Sequence, residues 1–300
     1  MAALAAVAII AGAGCTVATR ATTVRTPTTV TSQCPGPAVA PTSVTANGRT
    51  ARLTPPANYD PSVSYPLLVS LHPFVLNANQ WEIYSGLAAH AASRGYWVLS
   101  PNGSQPGPRW AVPGGLELGP DDVGYIDALI TATAAATCFD TGRIFAAGFS
   151  AGAAMAVGLS CELPWRFKGV AASGGANLTS TCPNAAPVAT FILHGAVDSI
   201  AAPSGSTVIF APPLGLSVAK VLTSVATRNG CTAPAATTAI TTSVIETKYT
   251  CTAAPLVYWS MLHTGHTWAG ASIPLDLVTG PTNHSFSASS AVVDFFNSVP

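Results

Sequence analysis

The pentapeptide Gly148-Phe149-Ser150-Ala151-Gly152 constrains this chain more than any other stretch. An apolar run over residues 143–149 leads into it and a run of small residues over 151–161 leads out, so the sequence predicts a strand, a sharp turn and a helix in immediate succession. At such a turn the serine hydroxyl stands above the end of the strand. Neighbouring backbone then closes in so tightly that glycine is needed on either side. The five-residue pattern alone is a weak signal, and its setting between a strand and a helix supplies the weight.

The rest of the chain repeats that rhythm. Strands are predicted at residues 67–72, 96–100, 143–149, 169–173, 188–194 and 256–262, and helices near 85–93, from Asp121 onward, at 151–161, near 217–227 and at 288–297. Asp121 and Asp122 stand where an N-cap and a first-turn carboxylate are favoured, with Val123, Ile126, Leu129 and Ile130 following at helical spacing. Short β runs alternating with helices predict an α/β fold, a mostly parallel central sheet with helices on both faces. We divide the chain into residues 1–15, an export signal; 16–40, a Thr/Pro-rich tether; and 41–300, one catalytic domain. Ala13-Gly14-Cys15 has the form of a bacterial lipoprotein cleavage site, which makes Cys15 a candidate lipid anchor. The expected location is secreted or extracytoplasmic, either free or anchored.

Charge removes one class of partner. Only 8% of residues are charged, the formal net charge is zero, and lysine occurs only at Lys168, Lys220 and Lys248. No basic stripe is available to neutralise phosphates, so nucleic acid is not an expected partner. Of seven cysteines, six remain once Cys15 is set aside, an even number that suits disulfides in an oxidising compartment. Spacing predicts Cys161 with Cys182 and Cys231 with Cys251, leaving Cys34 with Cys138. No Cys-x-x-Cys pair or nearby histidine suggests a metal, and no cofactor is expected. Sequons occur at Asn102, Asn177 and Asn283.

A serine hydroxyl is a poor nucleophile at neutral pH and needs a base within reach, with an acid to hold that base in the right tautomer. Asp198 follows the run Thr190-Phe191-Ile192-Leu193-His194 and the loop Gly195-Ala196-Val197, which carries it to the sheet edge where Ser150 emerges. The base is expected after the acid, and Gly265-His266-Thr267-Trp268 is a tight loop after a strand, so His266 is favoured over His263 and His284. His72 and His194, at strand ends, are expected to make structural hydrogen bonds. Attack on a carbonyl carbon also calls for two backbone N–H donors. Ala151 is one; because Pro73 has no N–H, Phe74 is the other, with Val75 behind it. Trp81, Trp110 and Trp268 are candidates to line a substrate pocket, with core packing as the equal alternative.

With these residues in place the chain resembles the secreted polyhydroxybutyrate depolymerase-like and feruloyl esterase-like branch of the α/β-hydrolases. The resemblance is carried by residues 65–72, by Asp121-Asp122-Val123-Gly124-Tyr125-Ile126, by 138–155 and 161–167, and by His194-Gly195-Ala196-Val197-Asp198 and Gly265-His266-Thr267-Trp268. It implies the α/β-hydrolase fold, a serine esterase with Ser150, Asp198 and His266 as its triad, and small-molecule or polymeric ester substrates of hydroxyalkanoate or hydroxycinnamoyl type. Pro73 and Ala153 stand where similar proteins carry glycine, and these departures bear on substrate fit more than on reaction type. Two other readings use the same residues: acyl transfer to an alcohol, and a noncatalytic surface-binding protein of the same fold.

Overall fold

The computed structural model describes residues 36–74, 76–104, 109–115, 119–205, 215–273 and 276–300. Six strands run parallel at its centre: β3 (Tyr65–Leu71), β4 (Trp97–Ser100), β5 (Phe139–Phe149), β6 (Gly169–Ser173), β7 (Ala189–Gly195) and β10 (Leu256–Met261). Antiparallel strands extend both edges, β1 (Ser43–Ala46) with β2 (Arg49–Thr54) on one side and β9 (Val244–Cys251) with β8 (Cys231–Thr241) on the other, giving the order β1-β2-β4-β3-β5-β6-β7-β10-β9-β8.

Alternation within the strands builds two cores. Leu67, Val69 and Leu71 of β3, with Ile144 and Ala146 of β5, pack against α3 (Asp122–Ala136) and α4 (Ala151–Glu162). On that same side Ala172 and Ile192 meet α5 (Val218–Arg228). The intervening residues Leu68, Phe145, Ala147, Ala171, Phe191 and Leu193 face α1 (Ala78–Ser85), α2 (Leu87–Ser93) and α7 (Ala288–Ser298). A sheet apolar on both faces is the signature of parallel strands covered by crossover helices. The expected α/β architecture is therefore present, with the predicted start of α3 capped as the sequence suggested: Asp121 accepts from the Gly124 N–H.

Several elements differ from expectation for identifiable reasons. The single helix expected near 85–93 is two, because Gly86 at φ 65° ends α1 and begins α2. The β1–β2 hairpin turns on Asn47-Gly48, both at positive φ, the pairing a two-residue hairpin turn demands. The β8–β9 hairpin, also not anticipated, is stapled across directly paired positions by the disulfide Cys231–Cys251. A second disulfide joins Cys161 at the end of α4 to Cys182. Cys138 is also disulfide-bonded, while its expected partner Cys34, the leader, Cys15 and most of the tether lie outside the described residues.

Register then delivers the site. Leu71 pairs with Gly148, Phe149 with Ser173, Ser173 with Leu193, and Gly195 with Met261. The carboxyl ends of β3, β5, β6, β7 and β10 thus finish side by side, and the loops after them open onto one edge, the position where α/β sheets present their ligands.

Candidate active site

Ser150 sits between β5 and α4 at φ 54°, ψ −119°, a backbone state that a non-glycine residue holds only when its surroundings enforce it. Its N–H donates to the Ser173 carbonyl at 2.9 Å and its carbonyl accepts from Ala154 at 3.0 Å. Close packing does the rest. A β-carbon on Gly148 would collide with the Gly152 backbone, one on Gly152 with the Leu71 carbonyl, and one on Gly175 with the Ser150 carbonyl. Ala151 is the first residue of α4, so its N–H belongs to the turn whose donors have no partner within the helix.

His266 comes from the loop after β10, where its backbone N–H donates to the Thr279 carbonyl at 2.6 Å beside the short helix α6 (Asp276–Thr279). The ring lies on Phe149 with centroids 4.8 Å apart. Its Nε2 is 2.8 Å from Ser150 Oγ and its Nδ1 2.8 Å from Asp198 Oδ2. An ionised carboxylate only accepts, so Nδ1 carries the proton and Nε2 is left to accept from the serine hydroxyl. All three side chains are nearly or fully buried. Burial pushes the Asp198 carboxyl up, but the hydrogen bond and charge of His266, the proximity of His194 and the Ala201 N–H together outweigh it and hold the group below its ordinary value. Asp198 is therefore an anion throughout the neutral range.

Other histidines and carboxylates after Ser150 have different surroundings. His263, at φ 55° in the turn after β10, and His284 are exposed. Asp294 pairs with Arg94, Glu246 with Lys248, and Asp276 accepts from Thr282 Oγ1. His72 is fully buried beneath the loop that carries Phe74: Nδ1 donates to the Pro73 carbonyl at 2.8 Å, Nε2 accepts from the Gly103 N–H at 2.9 Å, and Trp110 stacks on the ring with centroids 4.6 Å apart. Because the Pro73 carbonyl and the Phe74 N–H share one peptide plane, this bond sets the orientation of the expected donor. Phe74 itself is 39% exposed; Val75 lies outside the described residues.

The indoles occupy buried positions. Trp81, Trp110 and Trp268 are 2% exposed or less, with ring nitrogens donating to Ser70 Oγ, the His72 carbonyl and Ser289 Oγ. They pack as core side chains, each indole finding both its apolar neighbours and its polar partner inside. The sequons divide too: Asn177 and Asn283 are buried, whereas Asn102 is exposed.

Sequence reasoning missed the polar groups that fix the surrounding loops. Asp122, fully buried, accepts from Arg49 at 2.8 Å, from Ser104 Oγ at 3.0 Å and from the Ala111 N–H at 2.9 Å, pinning the segment that holds Gly103 and Trp110. Glu82 accepts from Ser70, Ser100 and the Ala88 N–H. Among the described residues no group of three or more His, Cys, Asp or Glu side chains is placed to hold a metal ion.

Residues 120–212 match the family model described as Phospholipase/Carboxylesterase. Probable feruloyl esterase C of Aspergillus terreus is 32% identical over 160 residues, covering 51% of this chain and 56% of that protein. Feruloyl esterase D of Neurospora crassa is 30% identical over 165 residues, 51% and 55% of the two chains. The chain thus spans about half the length of the feruloyl esterases it matches. A longer match, 77% of this chain and 73% of the relative at 28% identity, is to putative esterase NocK of Nocardia uniformis. Among solved structures, the acetyl xylan esterase from Aspergillus awamori superposes with a TM-score of 0.56 at 16% identity over 73% of this chain and 89% of that one, and the Bacillus cereus carboxylesterase with 0.52 at 16% over 83% and 95%. At that identity the likeness is one of fold.

Proposed function

We propose that this chain, which has the α/β-hydrolase fold, is a secreted serine esterase that cleaves carboxylic esters through an acyl-enzyme, with Ser150 as nucleophile, His266 as general base and Asp198 as the acid. One observation carries the reading: the unbroken hydrogen-bonded series from Ser150 Oγ through both nitrogens of His266 to Asp198, each step 2.8 Å. His266 takes the hydroxyl proton as Ser150 attacks the ester carbonyl, Asp198 stabilises the imidazolium, and the same proton goes to the leaving alcohol. Water then enters by the same route and releases the acid.

The developing oxyanion is assigned to the N–H groups of Ala151 and Phe74. Ala151 is supported by its place at the start of α4, where the helix also favours negative charge, and Phe74 by its place on the adjacent loop after a residue without an N–H. Hydroxycinnamoyl, short-chain acyl and hydroxyalkanoate esters are the substrate classes we favour, supported by relatives named feruloyl esterases and a structural neighbour named an acetyl xylan esterase. Export is supported by the disulfides Cys161–Cys182 and Cys231–Cys251; a lipid anchor at Cys15 belongs to the same proposal.

The deciding experiment is labelling with a fluorophosphonate probe, comparing the parent with Ser150→Ala, followed by hydrolysis of an aryl butyrate, methyl ferulate and hydroxybutyrate oligomers. Labelling lost in the variant, with turnover of at least one ester by the parent, is expected. A parent that neither labels nor hydrolyses any of the three overturns the proposal.

A further inference from the structure

Asp198 closes a tight turn on itself. Its Oδ1 accepts the backbone N–H groups of Ile200 at 2.9 Å and Ala201 at 2.8 Å, which leaves Oδ2 as the oxygen that meets His266 Nδ1. The carboxylate plane is therefore set by the turn over residues 198–202, and whatever fixes the turn fixes the direction in which Oδ2 faces. Two side chains from outside it do so. His194, near the end of β7, donates from Nε2 to the Ala201 carbonyl at 2.7 Å. Asn177, from the loop after β6, donates from Nδ2 to the carbonyls of Ala202 at 3.0 Å and Ala201 at 3.5 Å.

Both donors are kept at a cost. Each side chain is fully buried, and among the described residues Asn177 Oδ1 and His194 Nδ1 have no hydrogen-bond partner. A position serving packing alone is better filled by an apolar residue of similar volume, which leaves nothing unsatisfied. What the two residues share is an N–H aimed at the Ala201 carbonyl, with Asn177 reaching the Ala202 carbonyl as well. Resting on the assignment of Ser150, His266 and Asp198 as the triad, we propose that Asn177 and His194 are positioning residues, two neutral donors that clamp the Ala201 and Ala202 carbonyls and so hold the Asp198 carboxylate toward His266. His194 acts uncharged in this role. Its Nε2 is 3.7 Å from Asp198 Oδ2, outside hydrogen-bond reach, and the titratable groups that face it are Asp198 and His266. Burial keeps the imidazole neutral in spite of the nearby carboxylate.

The competing role, His194 as an imidazolium counter-ion to Asp198, makes opposite forecasts. The full chain is compared with His194→Gln, which keeps an amide donor where Nε2 lies but cannot titrate, with His194→Leu, with Asn177→Leu and with the double leucine variant. Aryl butyrate hydrolysis gives kcat, KM and the acid limb of kcat, and proton NMR follows the low-field resonance of the His266 Nδ1–H. Each leucine variant is expected to lose about 10²-fold in kcat, the scale of a misplaced catalytic group, with KM nearly unchanged and the low-field resonance shifted or broadened. The double variant should lose little more than either single one, because both donors act through one turn. His194→Gln should recover most of kcat with the acid limb in place.

A glutamine variant as impaired as the leucine one, or with a displaced acid limb, overturns the neutral-donor role. Leucine variants with unchanged kcat and resonance overturn the clamp altogether. Should the leucine variants fail to fold by circular dichroism, the glutamine variant's pH profile and resonance still decide. Ser150→Ala keeps the two levels apart: residual hydrolysis in that variant sinks the triad, whereas its loss beside fully active leucine variants sinks the clamp alone.

Discussion

The α-carbon of Gly152 lies so close to the Leu71 carbonyl that no β-carbon fits between them. This contact ties the first turn of α4 to the end of β3, and so ties the serine on one to the loop carrying Phe74 on the other. Gly152→Ala should therefore push those two segments apart. We expect a strong fall in activity together with a lower melting temperature, the overpacking penalty being about 1–3 kcal/mol. Wild-type rates in a variant of wild-type stability would show that the elbow tolerates the methyl group.

Removing the proposed nucleophile tests the chemistry most directly. Ser150→Ala, folded by circular dichroism, should lose ester hydrolysis by about 10⁶-fold. Asp198→Asn should fall by about 10⁴-fold, since the amide can present its donor side to His266 and favour the wrong tautomer. Retention of a tenth of the parent rate in either variant would reassign that residue, with Asp276 the next acid to test.

How far such a site is legible in a sequence depends on the range of the interaction. Ser150 was legible because strand, elbow and helix are contiguous, and the cap at Asp121 because it bonds to a residue three positions on. Asp122 was readable only as a first-turn carboxylate; its ion pair with Arg49 spans 73 positions, and nothing local announces it. Asn177 likewise looked like a sequon, whereas its side chain turns inward to a loop 24 and 25 positions away. The β8–β9 hairpin escaped because edge strands need no continuous apolar run, and the burial of β9 is mostly partial. The tryptophans show the converse limit, since composition gives an indole the same apolar weight whether it is buried or lines a cleft.

The disulfides yield a separate test. Cys161–Cys182 and Cys231–Cys251 close loops of 21 and 20 residues by sequence separation, so each should stabilise the fold by about 3 kcal/mol through the entropy of the unfolded chain. Nonreducing peptide mapping of exported protein is expected to recover both pairs, and replacement of either pair by alanine to lower the melting temperature. Free thiols at these four positions would count against both the pairing and the oxidising compartment.

His72 connects the loop beside the site to the acid stability of the whole fold. Burial pushes its imidazole down to about 4, opposed by the Pro73 carbonyl and the charge of Asp122, whereas in an unfolded chain the same group titrates near about 6.5. Between those two values the unfolded state binds a proton that the folded state does not, so stability rises with pH across the window and is lost as pH falls through it. Above the window the contribution is complete; below it both states are protonated and this group adds no further loss. The full difference is about 3 kcal/mol, and His194, also lowered chiefly by burial, acts in the same direction. Protonation has a structural meaning as well, because Nε2 must give up its lone pair and with it the bond from the Gly103 N–H. Urea titrations at a series of pH values should therefore give a midpoint that drops between about pH 6.5 and 4 in the parent and less steeply in His72→Gln, which cannot take up the proton. An equally steep drop in the variant would mean that other groups, and not this imidazole, set the acid limit of the fold.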